Sequence, residues 1–336
     1  MEIGKILVVR LLFFVNYGLS KKRELIRMHT KRLIGALGKY ITSSDYRFLI
    51  NANLGLYNKM LDEEYLKRKF RAAMGYELSL KDPKTFSEKL QWLKLYDRKP
   101  EYTMMVDKYR VREYVSKTIG EEYLIPLLGM WEDPEDIDFD ALPERFVLKC
   151  NHNSGQGMCV CKDKSKLNVQ KVKKELKKGL RQDYYLTGRE WPYKDVKRCV
   201  IAEQYMEDSG TVELRDYKFF CFNGEVKMLY IATDRQAVCK ETKFDFFDMD
   251  FNHLDFTNGH PNATVVPEKP TQFQKMKELA EKLSQGIPHV RVDLYEVDGR
   301  IYFGELTFSH WSGMEAFEPM EWDHKIGRWL TLPKCK

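Results

Sequence analysis

The sequence of 336 residues predicts an α+β protein with more than one domain. Helical patterns dominate up to residue 142, whereas short β-rich runs separated by Gly, Asn and Asp turns dominate from residue 143 onwards. Hydrophobic residues make up 43% of the chain and charged residues 32%, so the chain can bury a core and is not wholly disordered. Because no apolar run is long enough to span a bilayer and no secretory signal is visible, we expect a cytoplasmic protein.

Residues 1–58 form a basic arm in front of this fold. Residues 1–60 contain eleven Lys and Arg against three Asp and Glu, so the remainder of the chain is close to neutral. Apolar residues recur at helical spacing over 22–41 and predict a basic amphipathic helix. Such a helix can lie peripherally on the anionic inner membrane surface, or it can pack its apolar face on the protein. No nucleic-acid motif accompanies the basic residues, so we expect no nucleic-acid partner.

A helical N-terminal region is predicted over residues 59–142. Thr85 and Glu88 have capping-box spacing, with a threonine at the cap and a glutamate three residues later, which marks a helix start. The predicted helices cover 59–75, 86–96 and a stretch from about Asp107 to about Gly120.

The β-rich part of the chain is interrupted by two further helices, over 167–182 and 272–284. Thr271 and Gln274 have capping-box spacing at the start of the second helix. The predicted strands cover 146–148, 200–202, 217–222, 228–231, 290–297 and 301–308.

A lysine followed by a small glycine loop is the first candidate site. Lys149 lies at the end of a predicted strand, and Ser154, Gly155 and Gly157 follow it before the next strand. Glycine lets backbone N–H groups approach and surround phosphate oxygens, and the lysine adds a fixed positive charge. The same pattern also fits an ordinary hairpin loop with a surface lysine.

A predicted β-hairpin near the C-terminus carries the second candidate site. A three-residue loop over 298–300 pairs Val297 with Ile301, and this register places Asp293 directly opposite Glu305. A two-residue turn at the same place would instead put the two carboxylates on opposite faces. We therefore predict the three-residue loop.

The same register places Arg291 opposite Thr307, on the face that carries Asp293 and Glu305. The residues of the other face are apolar, as expected for a core side: Val292, Leu294, Leu306 and Phe308. Two carboxylates directly opposite each other repel unless a cation lies between them, and oxygen ligands beside a nucleotide phosphate suit Mg²⁺. A surface hairpin with charged residues facing water is the alternative.

A third candidate site is the end of the strand that begins near Val200. The strand stops at Glu203, Gln204, Tyr205 and Met206, an acidic, polar and aromatic step. Exposed backbone at such a step can hydrogen-bond the edge of an adenine ring, although any strand end has this property.

These signals occur in an order that resembles the ATP-grasp ligases: a strand lysine, a glycine loop, an acidic strand end and then R-V-D…G-E-L-T. The last stretch is similar to the R-x-D…E-x-N segment of D-alanine–D-alanine ligases. Upstream, the runs over 84–92 and 106–115 resemble the TupA-like subfamily, which belongs to teichuronopeptide and capsular-polysaccharide biosynthesis.

The resemblance covers about residues 75–320 and implies an ATP-grasp fold, in which two α+β subdomains clamp a nucleotide. It implies a small subdomain with the glycine loop over 143–207 and a C-terminal subdomain with a metal site over 208–336. ATP and Mg²⁺ are the implied cofactors.

The resemblance also implies roles for single residues around the nucleotide. Lys108 and Lys149 match lysines that hold the phosphates and take part in catalysis. The step Glu203–Met206 matches the adenine-binding hinge, and Asp216 is placed as a partner of the ribose.

The metal site and the transferred phosphate are implied in the same way. Asp293 and Glu305 match metal ligands, and Arg291 matches the catalytic arginine that faces the transferred phosphate. Thr307 stands where the ligases carry Asn and is predicted as the third ligand. Because a hydroxyl is a weaker ligand than an amide carbonyl, Ser309 or a water could replace it.

The implied activity is that of an ADP-forming amide ligase. ATP converts a carboxylate to an acyl phosphate, and an amine then attacks to form the amide. The expected substrates are a sugar uronate, nucleotide- or lipid-linked and belonging to a bacterial surface polysaccharide, together with an amino acid or small amine. The segment 234–262 is either a loop that faces the substrate or a solvated loop.

Two alternatives remain open at the level of sequence. A sugar kinase would use the same ATP site with a hydroxyl acceptor. A nucleotide-sugar glycosyltransferase is suggested by the D-x-D pattern of Asp248 and Asp250, but Asp136, Asp138 and Asp140 form the same pattern twice more.

Overall fold

The computed structural model describes residues 34–210, 214–234 and 241–334, and it confirms the α+β class. Two antiparallel sheets, each with helices packed against it, form the body of the protein. The helices are α1 (Ser44–Asn53), α2 (Asp62–Met74), α3 (Phe86–Tyr96), α4 (Pro100–Val106), α5 (Val111–Thr118), α6 (Val169–Arg181), α7 (Tyr184–Gly188), α8 (Phe273–Leu283) and α9 (Glu321–Trp329).

Twelve strands are formed by the described residues. They are β1 (Leu127–Trp131), β2 (Phe146–Cys150), β3 (Met158–Cys161), β4 (Val200–Gln204), β5 (Asp216–Phe222), β6 (Glu225–Thr233), β7 (Lys243–Phe247), β8 (His253–Leu254), β9 (Thr257–Asn258), β10 (His289–Val297), β11 (Arg300–Thr307) and β12 (Phe317–Glu318).

The small sheet has four strands in the order β1-β4-β2-β3. Phe146 and Leu148 of β2 alternate with Lys149 along the strand and are buried against Leu176 of α6. This alternation turns Lys149 to the face that α6 leaves open. The sheet includes β1, which lies before the predicted subdomain boundary at residue 143; the domain limits themselves remain predictions.

The large sheet has six strands in the order β11-β10-β5-β6-β7-β8 and is covered on both faces. Helices α4, α5 and α8 pack on one face, and α3 and α9 pack on the other. On β5, Lys218, Phe220 and Phe222 point to the α3 face, because successive side chains alternate. The same face of β5 therefore contributes apolar side chains to the core at one end and the charged Lys218 at the other.

The N-terminal helices follow the sequence prediction closely. The ranges predicted over 59–75 and 86–96 are α2 and α3, and the capping box of Thr85 and Glu88 is formed in both directions. The carboxylate of Asp323 in α9 also accepts a hydrogen bond from the Ser87 N–H (2.9 Å), which ties the start of α3 to the C-terminal helix.

The hairpin of β10 and β11 has the predicted pairing but not the predicted loop. Asp298 and Gly299 form a two-residue turn with positive φ of 49° and 76°, and Val297 pairs with Arg300. An Asp-Gly turn of this kind matches the twist of the strands. A register shift at Gly304 then restores Asp293 opposite Glu305 and Arg291 opposite Thr307.

Gly304 is a β-bulge residue, and its lack of a side chain has a steric reason. A Cβ there would lie 3.0 Å from the Asp293 carbonyl oxygen. The bulge reverses the alternation along β11, so the core receives Ile301 and Phe303 before it and Leu306 and Phe308 after it.

Two further predictions are wrong. Thr271 and Gln274 form no capping box, because the Thr271 hydroxyl donates to the Glu296 carboxylate and Gln272 is the N-cap. The segment 234–262 is not simply a loop: its described part contains β7, β8 and β9, and the buried Asp245 carboxylate contacts His253 Nε2 (3.0 Å).

Only the end of the basic arm lies within the described residues. A helix covers 34–42, and Ile34, Leu37 and Ile41 on it are exposed; the earlier part of the predicted helix over 22–41 lies outside the described residues. In the part of the chain that the structure describes, every helix is too short or too polar to cross a bilayer.

The contact between α9 and the start of α3 gives a test of the packing. A Cβ on Gly327 would lie 2.4 Å from the Lys84 carbonyl oxygen and 2.8 Å from the Phe86 nitrogen. Because backbone cannot yield easily, we expect Gly327→Ala to lower the free energy of unfolding by about 1–3 kcal/mol. Urea denaturation would measure this.

Gly38 provides the matched control, since it lies in the helix over 34–42 and a Cβ there would meet nothing within 4 Å. Gly38→Ala should leave stability unchanged or raise it by up to about 1 kcal/mol. Equal effects of the two substitutions would contradict the packing described here.

Candidate functional site

A cavity of about 410 Å³ opens where the large sheet, the glycine loop and residues 184–193 meet. It collects five of the predicted site residues, namely Lys108, Ser154, Arg291, Glu305 and Thr307. A second groove of about 450 Å³, lined by residues that include Asp62, Arg98 and Arg189, contains none of them. The first cavity is therefore the candidate site.

A buried ion pair between Arg291 and Asp293, both on β10, lies at the centre of the candidate site. Arg291 Nε donates to Asp293 Oδ1 and Nη2 donates to Oδ2, each at 2.7 Å, and both side chains are buried. Arg291 Nη2 also donates to the Thr307 hydroxyl at 3.0 Å. All three residues are predicted site residues, and the strand pairing brings them into direct contact.

Lys218 of β5 joins this pair although the sequence prediction gave it no role. Its ammonium group donates to Asp293 and lies 2.9 Å from the Asp216 carboxylate. Burial lowers the pKa of Lys218, but the carboxylates of Asp216 and Asp293 outweigh it and raise the pKa above its ordinary value. The signal in the sequence is the spacing of Asp216 and Lys218, which share one face of a strand.

Glu305 is the carboxylate that the cavity exposes. Its side chain is 35% exposed, against 1% for Asp293, and it lies 3.6 Å from both Lys108 Nζ and Arg291 Nη2. Burial would raise its pKa, but Lys108, Lys218 and Arg291 together lower the pKa to about 2. Glu305 is therefore ionised at neutral pH.

Lys108 reaches the cavity because Asp107 fixes the chain on either side of it. The Asp107 carboxylate accepts hydrogen bonds from the Tyr109 N–H and from the Asn151 amide, both at 2.9 Å. The Lys108 ammonium then donates to the Asn153 carbonyl oxygen (2.7 Å). Asp107 thus joins the helical region to the glycine loop.

The glycines of the loop differ in their surroundings. Gly155 has φ of 78° and open space where a Cβ would lie, while Ser154 beside it lines the cavity. At Gly157, close packing leaves no space for a side chain, because a Cβ there would lie 2.7 Å from Cys150 Sγ and 2.9 Å from the backbone of Gly179. Their predicted role at phosphates remains a prediction.

Lys149 is paired with Glu203 on the neighbouring strand. Its ammonium group lies 2.6 Å from the Glu203 carboxylate, which also has Arg112 at 3.9 Å. Glu203 is buried, and its position beside Lys149 places the predicted hinge next to the cation cluster.

The remaining hinge residues lie outside the cavity lining. The Gln204 N–H donates to the Pro126 carbonyl oxygen (3.0 Å), and the ring of Tyr205 lies under Arg145 and Lys162. Nothing in the structure tests adenine binding by Gln204, Tyr205 or Met206, so it stays a prediction. The same holds for Asp216 as a ribose partner, since its carboxylate contacts Lys218.

His310 also belongs to the site and was missed from the sequence. Its Nδ1 accepts from Arg291 Nη1 (2.8 Å), and its Nε2 donates to Asn258 Oδ1 (2.9 Å). Burial and the charge of Arg291 hold the pKa of this imidazole well below its ordinary value. A neutral His310 therefore orients the arginine.

Two of the D-x-D patterns are turns in the structure. Asp138 accepts from the Asp140 N–H (3.0 Å), and Asp248 accepts from the N–H groups of Asp250 (3.0 Å) and Asn252 (2.8 Å). Neither pattern lines the cavity, and local hydrogen bonding accounts for both.

The oxygen donors of the site are compatible with Mg²⁺. Among the described residues no three His, Cys, Asp or Glu side chains form a cluster that could hold a metal alone. Mg²⁺, however, usually takes one or two carboxylates and completes its shell with phosphate oxygens and waters. Glu305 and Thr307 line the cavity and supply such a partial set. Asp293 does not line it, and both of its oxygens accept from Arg291 or Lys218, so its role as a ligand stays a prediction.

The sequence over residues 88–331 matches the family described as TupA-like ATPgrasp. No curated protein matches the chain. The solved structures that it resembles include the D-alanine–D-alanine ligase from Bacillus anthracis complexed with ATP, at 16% identity and a TM-score of 0.39. That match covers 61% of this chain and 55% of the ligase, so the chain spans little more than half of that relative's length.

Two other solved structures are similar at comparable levels. The D-alanine–D-alanine ligase from Helicobacter pylori has 12% identity and a TM-score of 0.40, with 73% of this chain and 69% of that chain covered. The ATP-grasp ligase PsnB complexed with a minimal precursor has 12% identity and a TM-score of 0.36, with 68% and 61% covered.

Buried neutral histidines near the site predict an acid-labile fold. Burial lowers the pKa of His152 to about 4 and that of His289 to about 3. In the unfolded chain these groups protonate below about pH 6.5, whereas the folded chain keeps them neutral, so stability falls as the pH drops from there. Each of these histidines contributes up to about 1.4 kcal/mol per pH unit to the slope of the free energy of unfolding against pH.

The test compares the slopes of the free energy of unfolding against pH between about pH 6 and 4.5. His289→Asn should reduce the slope by about 1.4 kcal/mol per pH unit. His324→Asn, at an exposed position, should leave it unchanged. An unchanged slope in His289→Asn would mean that His289 is charged in the folded protein.

Proposed function

The chain belongs to the TupA-like ATP-grasp family, and we propose that it is an ATP-dependent carboxylate–amine ligase. It forms an acyl phosphate from a carboxylate, joins it to an amine as an amide, and releases ADP and phosphate. The carboxylate is a uronic acid of a bacterial surface polysaccharide or its nucleotide- or lipid-linked precursor. The amine is an amino acid or a small amine.

The observation that carries this proposal is the convergence of four cations on Glu305. Lys108 comes from the helical region, Lys149 from the small sheet, and Lys218 and Arg291 from the large sheet, and all four lower the pKa of Glu305. Phosphoryl transfer needs little covalent chemistry from the protein and depends on positioning and on stabilising developing negative charge. A buried cation cluster at the junction of two sheets supports that chemistry.

The residues of the chain take separate parts in this reaction. Lys108, Lys149 and Arg291 bind the phosphates, and Asp293 and His310 fix the guanidinium of Arg291. Glu305, with Thr307 beside it, would hold Mg²⁺, which supplies charge neutralisation of the transferred phosphoryl group. No protein nucleophile is required.

The charge balance of the cluster supports a role for the metal. The four cations, together with Arg112 beside Glu203, face four carboxylates, those of Glu203, Asp216, Asp293 and Glu305. A polyphosphate therefore brings more negative charge than this nearly balanced cluster can neutralise, which is unfavourable unless a cation accompanies it. Mg²⁺ bound with the nucleotide supplies that charge.

The uronic acid is supported by the family and by an aromatic wall of the cavity. Tyr230, Phe244 and Trp311 line this wall, and the indole of Trp311 is its most exposed ring. The apolar face of a sugar ring can pack on such rings.

We expect Mg·ATP to stabilise the protein in a thermal-shift measurement, and Lys149→Ala to abolish most of this effect. A ligand at about 100 times its dissociation constant adds roughly 2.7 kcal/mol. ATP with a chelator should stabilise less, because the excess charge is then uncompensated. Lys166→Ala, an exposed lysine of the same subdomain, is the control. Stabilisation by a UDP-sugar alone would instead support a glycosyltransferase.

Product analysis separates a ligase from a kinase. With Mg·ATP, hydroxylamine and either D-glucuronate or UDP-glucuronate, we expect a hydroxamate and free phosphate in amounts equal to ADP. A phosphorylated sugar with no free phosphate would establish the kinase and overturn the ligase. Lys149→Ala should reduce both products together.

A further inference from the structure

The cavity contains a second carboxylate, that of Glu190. It follows α7, is 7% exposed and lines the cavity. Unlike Glu305, which has Lys108 and Arg291 at 3.6 Å, it has no cation of the described residues within ion-pair distance. Its oxygens can therefore accept a contact from a cationic group that enters the cavity.

A strained turn holds this carboxylate in place. Trp311 and Ser312 both have positive φ, 48° and 57°, a backbone region that residues with side chains rarely adopt. The Ser312 hydroxyl and the Glu190 carboxylate both lie against Gly188. Lys94, which is buried, donates to the Ser312 carbonyl oxygen (2.7 Å) and to the Gly188 carbonyl oxygen (2.9 Å), and so joins the turn to the segment before Glu190.

The charges that face Glu190 come from three elements. Lys94 of α3 acts most strongly, followed by Lys69 of α2 and Arg291 of β10. They oppose the effect of burial but do not overcome it, and the pKa of Glu190 is raised.

Aromatic rings complete the surroundings of this carboxylate. Tyr184 and Tyr193 line the same part of the cavity and are packed edge to face, with ring centroids 4.7 Å apart. The indole of Trp311, which also lines the cavity, is 43% exposed. Aromatic faces next to a carboxylate attract a cationic group such as an ammonium.

We propose that Glu190 binds the ammonium group of the amine substrate and accepts a proton from it, which makes Glu190 the general base of amide formation. This rests on the ligase function proposed above. One proton passes from nitrogen to the Glu190 carboxylate, and the nitrogen lone pair forms a C–N bond to the acyl phosphate carbon. The C–O bond to phosphate breaks, phosphate leaves with the electron pair, and the second surplus proton of the nitrogen leaves with it.

The test compares two nucleophiles in Glu190→Gln, which keeps the size of the side chain. Hydroxylamine is unprotonated at neutral pH and needs no base, whereas glycine, L-alanine and L-glutamate carry ammonium groups. With Mg·ATP and the carboxylate that gives hydroxamate with the wild-type protein, we expect the variant to lose about 10²–10⁴-fold in kcat/KM for the amino acid. Its hydroxamate formation should change less than about threefold.

Glu315→Gln, at an exposed position just after the same turn, is the matched control and should match the wild type with both nucleophiles. In the wild type, kcat/KM for the amino acid should rise with pH, and this pH dependence should change in Glu190→Gln. Retained hydroxamate formation also shows that the variant is folded.

Three outcomes would overturn the assignment of Glu190. Equal losses with both nucleophiles would place Glu190 in carboxylate activation or in folding, and no loss with either would exclude a role. Hydroxamate formation without any amide from the amino acids in the wild type would remove the amine reaction that it serves. Absence of both products in the wild type would overturn the ligase function itself.

Discussion

The two-point ion pair of Arg291 and Asp293 is the contact around which the site is arranged. Both residues point to the same face of β10, and the arginine uses its other donors to reach Thr307 and His310. Removing one partner from such a buried pair leaves an uncompensated charge, which costs about 3–5 kcal/mol. The charges that form the site therefore also constrain the register of β10 against β11. The bulge at Gly304 allows this register, with Arg291 opposite Thr307 and Asp293 opposite Glu305.

Contacts between distant parts of the chain bring the other cations to this pair. Asp107 holds the start of α5 and the glycine loop together through Asn151, and this places Lys108 beside Glu305. The small sheet contributes Lys149 through its contact with Glu203. A cluster of paired charges of this kind adds little stability compared with an apolar core, but its charges need no rearrangement before they act on a ligand.

One face of the large sheet changes character along its strands, and its charged end lies at the cavity. On β5 that face runs from Asp216 and Lys218 at the site to Phe220 and Phe222 under α3. The strained turn of Trp311 and Ser312 also lines the cavity, and Lys94 of α3 donates a hydrogen bond to its Ser312 carbonyl oxygen. The same helix therefore covers the apolar end of the sheet and fixes the wall of the cavity, which couples core packing to the geometry of the site.

Local patterns in the sequence were sufficient for the α+β class, for α2 and α3, and for Asp293 lying opposite Glu305. These features depend on alternation, capping and charge within short stretches of chain. The bulge at Gly304 could not be predicted, because a two-residue turn plus one extra residue gives the same pairing as a three-residue loop.

Lys218, Glu190 and His310 were missed for a different reason. What distinguishes each of them is burial and contact with residues far away in the sequence, as Ser312 is from Glu190. The sequence by itself determined which charges were available; only the tertiary structure decided which of them are buried together, because desolvation and pairing are properties of the packed chain.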